Sequence, residues 1–241
     1  MFKKNKKQRE KETYMITSPD KKHGKIDFKE VYRHIRTNIE YSTVGKNVKA
    51  INVTSSIPSE SKSTTSLNLA MIYATKYANV LLIDADLRRL TQHHYLKLSN
   101  SRGLTNALIE YGETKKISSK YFQFIEDESF EGKLSVLTAG IKVPNPSELI
   151  SSDIFEEFIN ELMKLYDFIV IDCTPVMLVS DAIPIGNVVD GTVFVCSSQL
   201  TGRKDAKASI EILQKNNVNI LGTVLTQVEV EQDKYNNYYY Y

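Results

Sequence analysis

Tryptophan is absent from this chain, and its 241 residues include only two cysteines, six prolines and ten glycines. Two thiols cannot build the disulfide framework of a small secreted domain. Cys173 and Cys196 lie in or beside apolar strand-like runs, which predicts buried, reduced thiols. Neither they nor the pair His93–His94 has partners at the spacing of a zinc site. No apolar run approaches the ~20 residues needed to cross a bilayer. The opening MFKKNKKQREKE lacks the apolar core of a secretory leader, so a cytoplasmic protein is expected. The body also lacks a basic excess. Lys3, Lys4, Lys6, Lys7, Arg9 and Lys11 outweigh Glu10 and Glu12 to give the first twelve residues +4, which leaves −2 on the rest of a chain of net charge +2. That balance excludes a dedicated nucleic-acid binder and predicts a solvated basic arm with some attraction for anionic lipid.

The remaining composition, 41% apolar and 25% charged, is that of one ordinary globular domain. Residues 27–42 carry Val31, Ile35 and Ile39 at four-residue spacing, the pattern of a helix with one apolar face. Apolar strand-like runs follow at Lys49–Thr54, Val80–Ile83, Leu134–Leu137, Phe168–Ile171, Gly191–Cys196 and Ile220–Leu225. Helical segments at about Lys62–Tyr77, Asp153–Tyr166, Asp181–Val188 and Arg203–Asn216 alternate with them. Continuous apolar strands separated by helices predict a doubly wound, mostly parallel α/β sheet buried on both faces. Residues 98–132 are polar and read as partly helical. The organisation expected is a basic flexible arm over 1–15, one folded domain over 16–230 and a tyrosine-rich tail over 231–241. Tyr235, Tyr238, Tyr239, Tyr240 and Tyr241 place five of the 14 tyrosines in the last seven residues, an enrichment no α/β core requires and one suited to modification.

Three motifs carry chemistry. Ser55-Ser56-Ile57-Pro58-Ser59-Glu60-Ser61-Lys62-Ser63-Thr64 joins a strand to a helix, where the N–H groups of a phosphate-binding loop belong. Lys62 is the residue to reach the β/γ-phosphates, and Ser63 the hydroxyl for Mg²⁺. Ser56 and Ser61 stand where the motif has glycine, and a serine held at positive φ costs on the order of 1 kcal/mol. Alone, the loop reads equally well as a serine-rich turn capping a helix. In Leu81-Leu82-Ile83-Asp84-Ala85-Asp86-Leu87-Arg88 an apolar strand ends in two acids spaced by two, placing both carboxylates on one side. Such a pair can hold Mg²⁺ and accept a proton. Phe168-Ile169-Val170-Ile171-Asp172 is a second strand closing on an acid, the form of a Walker B segment. In open α/β sheets ligands bind beyond the carboxyl ends of the strands, and all three motifs fall at that edge.

Together these residues resemble the bacterial tyrosine kinases of capsule and exopolysaccharide synthesis, in their free cytoplasmic form. SSIPSESKST corresponds to Walker A, LLIDADLRR to the additional A′ motif and FIVIDCTP to Walker B, reinforced by VPNPSELI and by Glu30-x-x-Arg33-x-x-Arg36. The resemblance implies ATP and Mg²⁺ as cofactors. The nucleotide site would include Ser56, Pro58, Ser59, Glu60, Ser61, Lys62, Ser63, Thr64 and Arg88. Asp84 would act as base toward a tyrosine hydroxyl, with Asp86 and Lys62 also catalytic, and Ser63, Asp86 and Asp172 on the metal. It further implies a ring of subunits packed through Glu30, Arg33 and Arg36, and trans-phosphorylation of the terminal tyrosines. The partners implied are a membrane adaptor whose cytoplasmic segment activates the enzyme and a cognate phosphotyrosine phosphatase, with location at the membrane through the adaptor. The chain departs from the family at Ser59 and Ser61, where glycine is usual, and in reading DCTP for a DTPP-like form. Two other readings stand beside this one. One is a partitioning-type ATPase, whose early second lysine is replaced by Ile57; the other is a scaffold that binds nucleotide weakly.

Overall fold

The computed structural model of the chain describes residues 27–45 and 47–229. The basic arm and the tail with Tyr235 and Tyr238–Tyr241 lie outside the described residues. Asp27 caps the first helix, α1 (Phe28–Ser42), its carboxylate accepting from the N–H groups of Lys29 and Glu30. Then follow β1 (Ala50–Ser55), α2 (Lys62–Ala74), β2 (Asn79–Asp84), α3 (Gln92–Tyr95), α4 (Leu104–Thr114) and a 3₁₀ turn at Ser119–Tyr121. The rest of the domain is β3 (Gln123–Ile125), β4 (Lys133–Leu137), α5 (Pro146–Ile150), α6 (Asp153–Leu165), β5 (Phe168–Asp172), α7 (Ala182–Val188), β6 (Gly191–Ser197), α8 (Arg203–Lys215) and β7 (Ile220–Thr226).

The strands form one sheet in the order β3-β4-β2-β5-β1-β6-β7, parallel throughout except that β3 runs antiparallel to β4. Alternation along the central strands feeds two cores. Ile51, Val53, Val80, Leu82 and Val170 pack with α2 and Ile39 of α1. Leu81, Ile83, Ile169, Ile171 and Phe194 pack with α4, α6 and α7. This two-sided burial is why the strands read as unbroken apolar runs instead of alternating ones. The register sets Asp84 directly opposite Asp172, so the acidic ends of β2 and β5 become neighbours on the central strands.

The predicted strands match to within a residue at each end, whereas α2 stops at Ala74 instead of Tyr77. Residues 98–132 contain what periodicity did not separate: α4, the 3₁₀ turn and the edge strand β3, whose Phe124 is exposed. Helices α3 and α5 span four and five residues, too short for a 3.6-residue period to register. Among the described residues no helix is long and apolar enough to cross a membrane.

The three residues Glu30, Arg33 and Arg36 are placed differently. Glu30 and Arg33 pair with each other on the open side of α1. Arg36 turns inward, donating to the Ile72 carbonyl at 3.0 Å and the Thr75 hydroxyl at 3.4 Å, where it holds the C-terminal turn of α2. Arg36→Ala is therefore expected to lower stability by about 1–2 kcal/mol. Arg33→Ala should change it by under about 0.5 kcal/mol. Urea denaturation at a protein concentration low enough to dissociate oligomers measures both.

Candidate nucleotide site

Between β1 and α2 the chain turns through two serines at positive φ, Ser59 at 69° and Ser61 at 63°. The expected strain at Ser61 is present. That expected at Ser56 is not: the second left-handed serine is Ser59. Neighbouring elements hold this conformation in place. The Glu60 carboxylate accepts from the Ile57 N–H at 2.7 Å, the Ser197 N–H at 3.3 Å and the Thr201 hydroxyl. Gln227 donates to the Ser59 carbonyl and Thr226 to the Glu60 carbonyl. The Glu60 side chain is thus buried toward the end of β6 and does not line the cleft, and neither does Ser56, which is also fully buried.

The loop opens onto a cleft of about 330 Å³. Pro58, Ser59, Ser61, Lys62, Ser63 and Thr64 form one wall, and Asp86, Arg88, Thr174 and Pro175 face them. The first N–H groups of α2 have no partner within the helix and stand at this wall. Lys62 Nζ lies 2.5 Å from Asp172 Oδ1, 3.5 Å from Asp86 Oδ2 and 3.3 Å from Ser63 Oγ. Burial alone would lower this ammonium's pKa, but the Asp172 and Asp86 carboxylates outweigh it and raise the pKa. Asp86 is also raised, by burial first, against the attraction of Lys62.

Asp84 is fully buried and does not line the cleft. Its Oδ2 accepts from the N–H groups of Thr91 at 3.3 Å and Gln92 at 3.1 Å, while Oδ1 is buried with no partner. Burial, then the facing Asp172, push its pKa up to about 8. Arg88 is a rim residue, its Nε 3.3 Å from Asp181 and its Nη2 donating to Ser147 at 2.8 Å. The VPNPSELI segment thereby closes onto the A′ motif through Ser147 of α5. Sequence reasoning passed over Asp181, Thr91, Gln92 and Ser66. Only Ser66 carried a readable signal, one helical turn beyond Lys62, from where its hydroxyl reaches Asp172 Oδ1 at 3.1 Å.

The chemistry of this donor set fits a magnesium nucleotide. Two carboxylates, Asp86 and Asp172, pair with one lysine, leaving a local negative excess. The buried, unpartnered Thr174 Oγ1 at the cleft adds unfilled hydrogen-bonding capacity. Among the described residues no three His, Cys, Asp or Glu side chains form a metal cage. Magnesium does not need one, since it is ordinarily held by one or two protein ligands together with phosphate oxygens and water.

A family model described as an AAA domain matches residues 48–199. The tyrosine-protein kinase YwqD of Bacillus subtilis (strain 168) is 41% identical over 212 residues, 88% of this chain and 85% of that protein. The tyrosine-protein kinase CpsD of Streptococcus pneumoniae is 32% identical over 88% of this chain and 89% of its own length. The chain belongs to the bacterial tyrosine-protein kinase family. The crystal structure of the chimerical protein CapA2B2 superposes with a TM-score of 0.76 at 32% identity, covering 87% of this chain and 88% of that one. A P-loop domain of this kinase family implies nucleotide binding.

The raised pKa of Asp84 has a consequence for folding. The unfolded carboxyl loses its proton near pH 4, the folded one near pH 8, so stability falls as pH rises between them and is unaffected below about 4. Asp84→Asn removes this penalty. The variant is expected to exceed wild type by on the order of 1 kcal/mol or more at pH 8 and to lose that advantage at pH 4, which urea denaturation at the two pH values reads directly.

Proposed function

We propose that this chain is an ATP- and Mg²⁺-dependent protein-tyrosine kinase that phosphorylates its own terminal tyrosines in trans and regulates capsular or exopolysaccharide synthesis. The observation that carries the reading is Lys62 on the cleft wall, paired with Asp86 beside it and with the buried Asp172 behind it, in a chain 41% identical to a tyrosine-protein kinase.

The chemistry asked of the protein is positioning and charge stabilisation. The N–H groups of residues 61–64 cradle the phosphates, and the Lys62 ammonium stabilises charge developing on the β/γ-oxygens. Ser63 and Asp172 would hold Mg²⁺, which when bound neutralises phosphate charge, leaving the carboxylate of Asp86, also expected on the metal, for proton transfer. Of the three acids Asp86 lines the cleft, and burial makes it more basic than an exposed carboxylate. We therefore assign to Asp86 the acceptance of the tyrosine hydroxyl proton, a role first expected of Asp84, and to Asp84 a supporting role behind the wall.

The family resemblance supports the finer parts of the reading. The subunits assemble in a ring in which Glu30 and Arg33 face the neighbour, and Arg36 sets the angle of their helix. A membrane adaptor's cytoplasmic segment activates the enzyme and brings it to the membrane, a phosphotyrosine phosphatase reverses the modification, and the basic arm lies toward anionic lipid. The partitioning-ATPase reading is not favoured, because Ile57 occupies the region of that group's second lysine and the tyrosine tail has no task there.

Incubation of the full chain with ATP and Mg²⁺, with and without an adaptor's cytoplasmic segment, tests the reading by mass spectrometry of the tail. Phosphate is expected on Tyr235 and Tyr238–Tyr241. Lys62→Met and Asp86→Asn should each reduce it by about 100-fold or more, and Asp84→Asn by less, about 10-fold. A tail left unmodified in every arm, with no nucleotide bound, would replace this reading with a scaffold.

A further inference from the structure

Gln92, the first residue of α3, belongs to none of the three motifs, yet it touches all of them. Its Nε2 donates to Asp172 Oδ2 at 2.8 Å and to the Ser63 carbonyl at 2.9 Å. Its own N–H donates to Asp84 Oδ2 at 3.1 Å. The preceding Thr91 repeats the pattern: its N–H reaches Asp84 Oδ2 at 3.3 Å, and its hydroxyl donates to Ser63 Oγ at 3.1 Å. Gln92 is fully buried.

Both neighbours of the side-chain amide are acceptors, so its NH₂ must face them, and the orientation of the amide follows from the network alone. Asp172 then has both oxygens engaged. Lys62 and Ser66 hold Oδ1 and, among the described residues, only Gln92 holds Oδ2. Without that donor Oδ2 is unanchored, and the carboxylate can pivot on its Oδ1 contacts about a terminal torsion that is broad for Asp. A glutamate here would add a fourth acid to a site that has one lysine, whereas an amide orients the carboxylate without adding charge.

We infer that Gln92 is a positioning residue that fixes the orientation of Asp172, behind the cleft wall, and of Ser63 on it, and so sets how strongly Mg²⁺ tightens nucleotide binding. The inference rests on the nucleotide–metal site of the reading above, but not on tyrosine as the acceptor. The metal-independent contacts, the Lys62 ammonium and the loop N–H groups, are not bonded to Gln92 itself; they meet it one step removed, through the other oxygen of Asp172 and through the Ser63 carbonyl. Its loss should therefore separate two affinities that a general loosening of the site would move together.

The test is calorimetric titration of the full chain with ADP, with and without Mg²⁺, in wild type, Gln92→Met and Gln92→Asn. Methionine keeps the volume and removes the donor; asparagine keeps the donor and shortens its reach. In Gln92→Met the Mg²⁺-dependent tightening is expected to fall about tenfold or more while metal-free ADP affinity stays within about twofold, with Gln92→Asn intermediate. Should Gln92→Met fail to fold, Gln92→Asn supplies the same comparison. Unchanged tightening overturns the inference. So does an equal loss of both affinities, which would mark a merely structural residue, and so does a wild type that shows no tightening. A wild type that binds Mg²⁺–ADP but leaves tyrosine unmodified removes the kinase reading and leaves this inference to its own titration. The reverse pattern, a working kinase with a Gln92→Met variant of unaltered Mg²⁺ dependence, removes this inference alone.

Discussion

The ammonium of Lys62, buried between Asp172 and Asp86, is the interaction on which the rest of the site depends. Burying a charge is costly unless it is paired and hydrogen-bonded. Here the lysine offsets two carboxylates, and a third, Asp84, meets the cost of its own burial by holding its proton to higher pH. The sheet order creates this arrangement. β1 feeds the loop that delivers Lys62, and β5 lies between β1 and β2, bringing the acid of Walker B against those of the A′ motif. Moved to another place in the sheet, any one of these strands would leave a buried charge without a partner.

The loop shows the same economy at the level of the backbone. Two serines adopt a conformation that favours glycine, and non-glycine residues keep such geometry only where their surroundings over-determine it. The surroundings here are the carboxyl ends of β6 and β7, which bind the Ser59 and Glu60 carbonyls and, through Ser197, the Glu60 carboxylate. The far edge of the sheet, remote in sequence, therefore shapes the phosphate loop. Glutamate within a phosphate loop invites a ligand-binding reading. In this protein its carboxylate is a fastening that points away from the cleft.

Much of this was legible in advance because the relevant signals are local. Unbroken apolar runs mark strands buried on both faces, a strand ending in an acid marks the ligand edge of the sheet, and Lys62-Ser63 after a serine-rich turn marks the start of a helix facing phosphate. These determined the α/β class, the doubly wound sheet, and the identities of Lys62, Asp84, Asp86 and Asp172. What tertiary structure decided is how those groups divide the work. Spacing alone put Asp84 and Asp86 on one side of a strand. The fold ends the strand at Asp84, seals that acid behind Thr91 and Gln92, and leaves Asp86 to face the cleft. It likewise turned Arg36 onto α2 and drew Gln92 into the centre of the network. Burial and hydrogen-bond partners come from residues far apart in the chain, and no periodicity or motif encodes them.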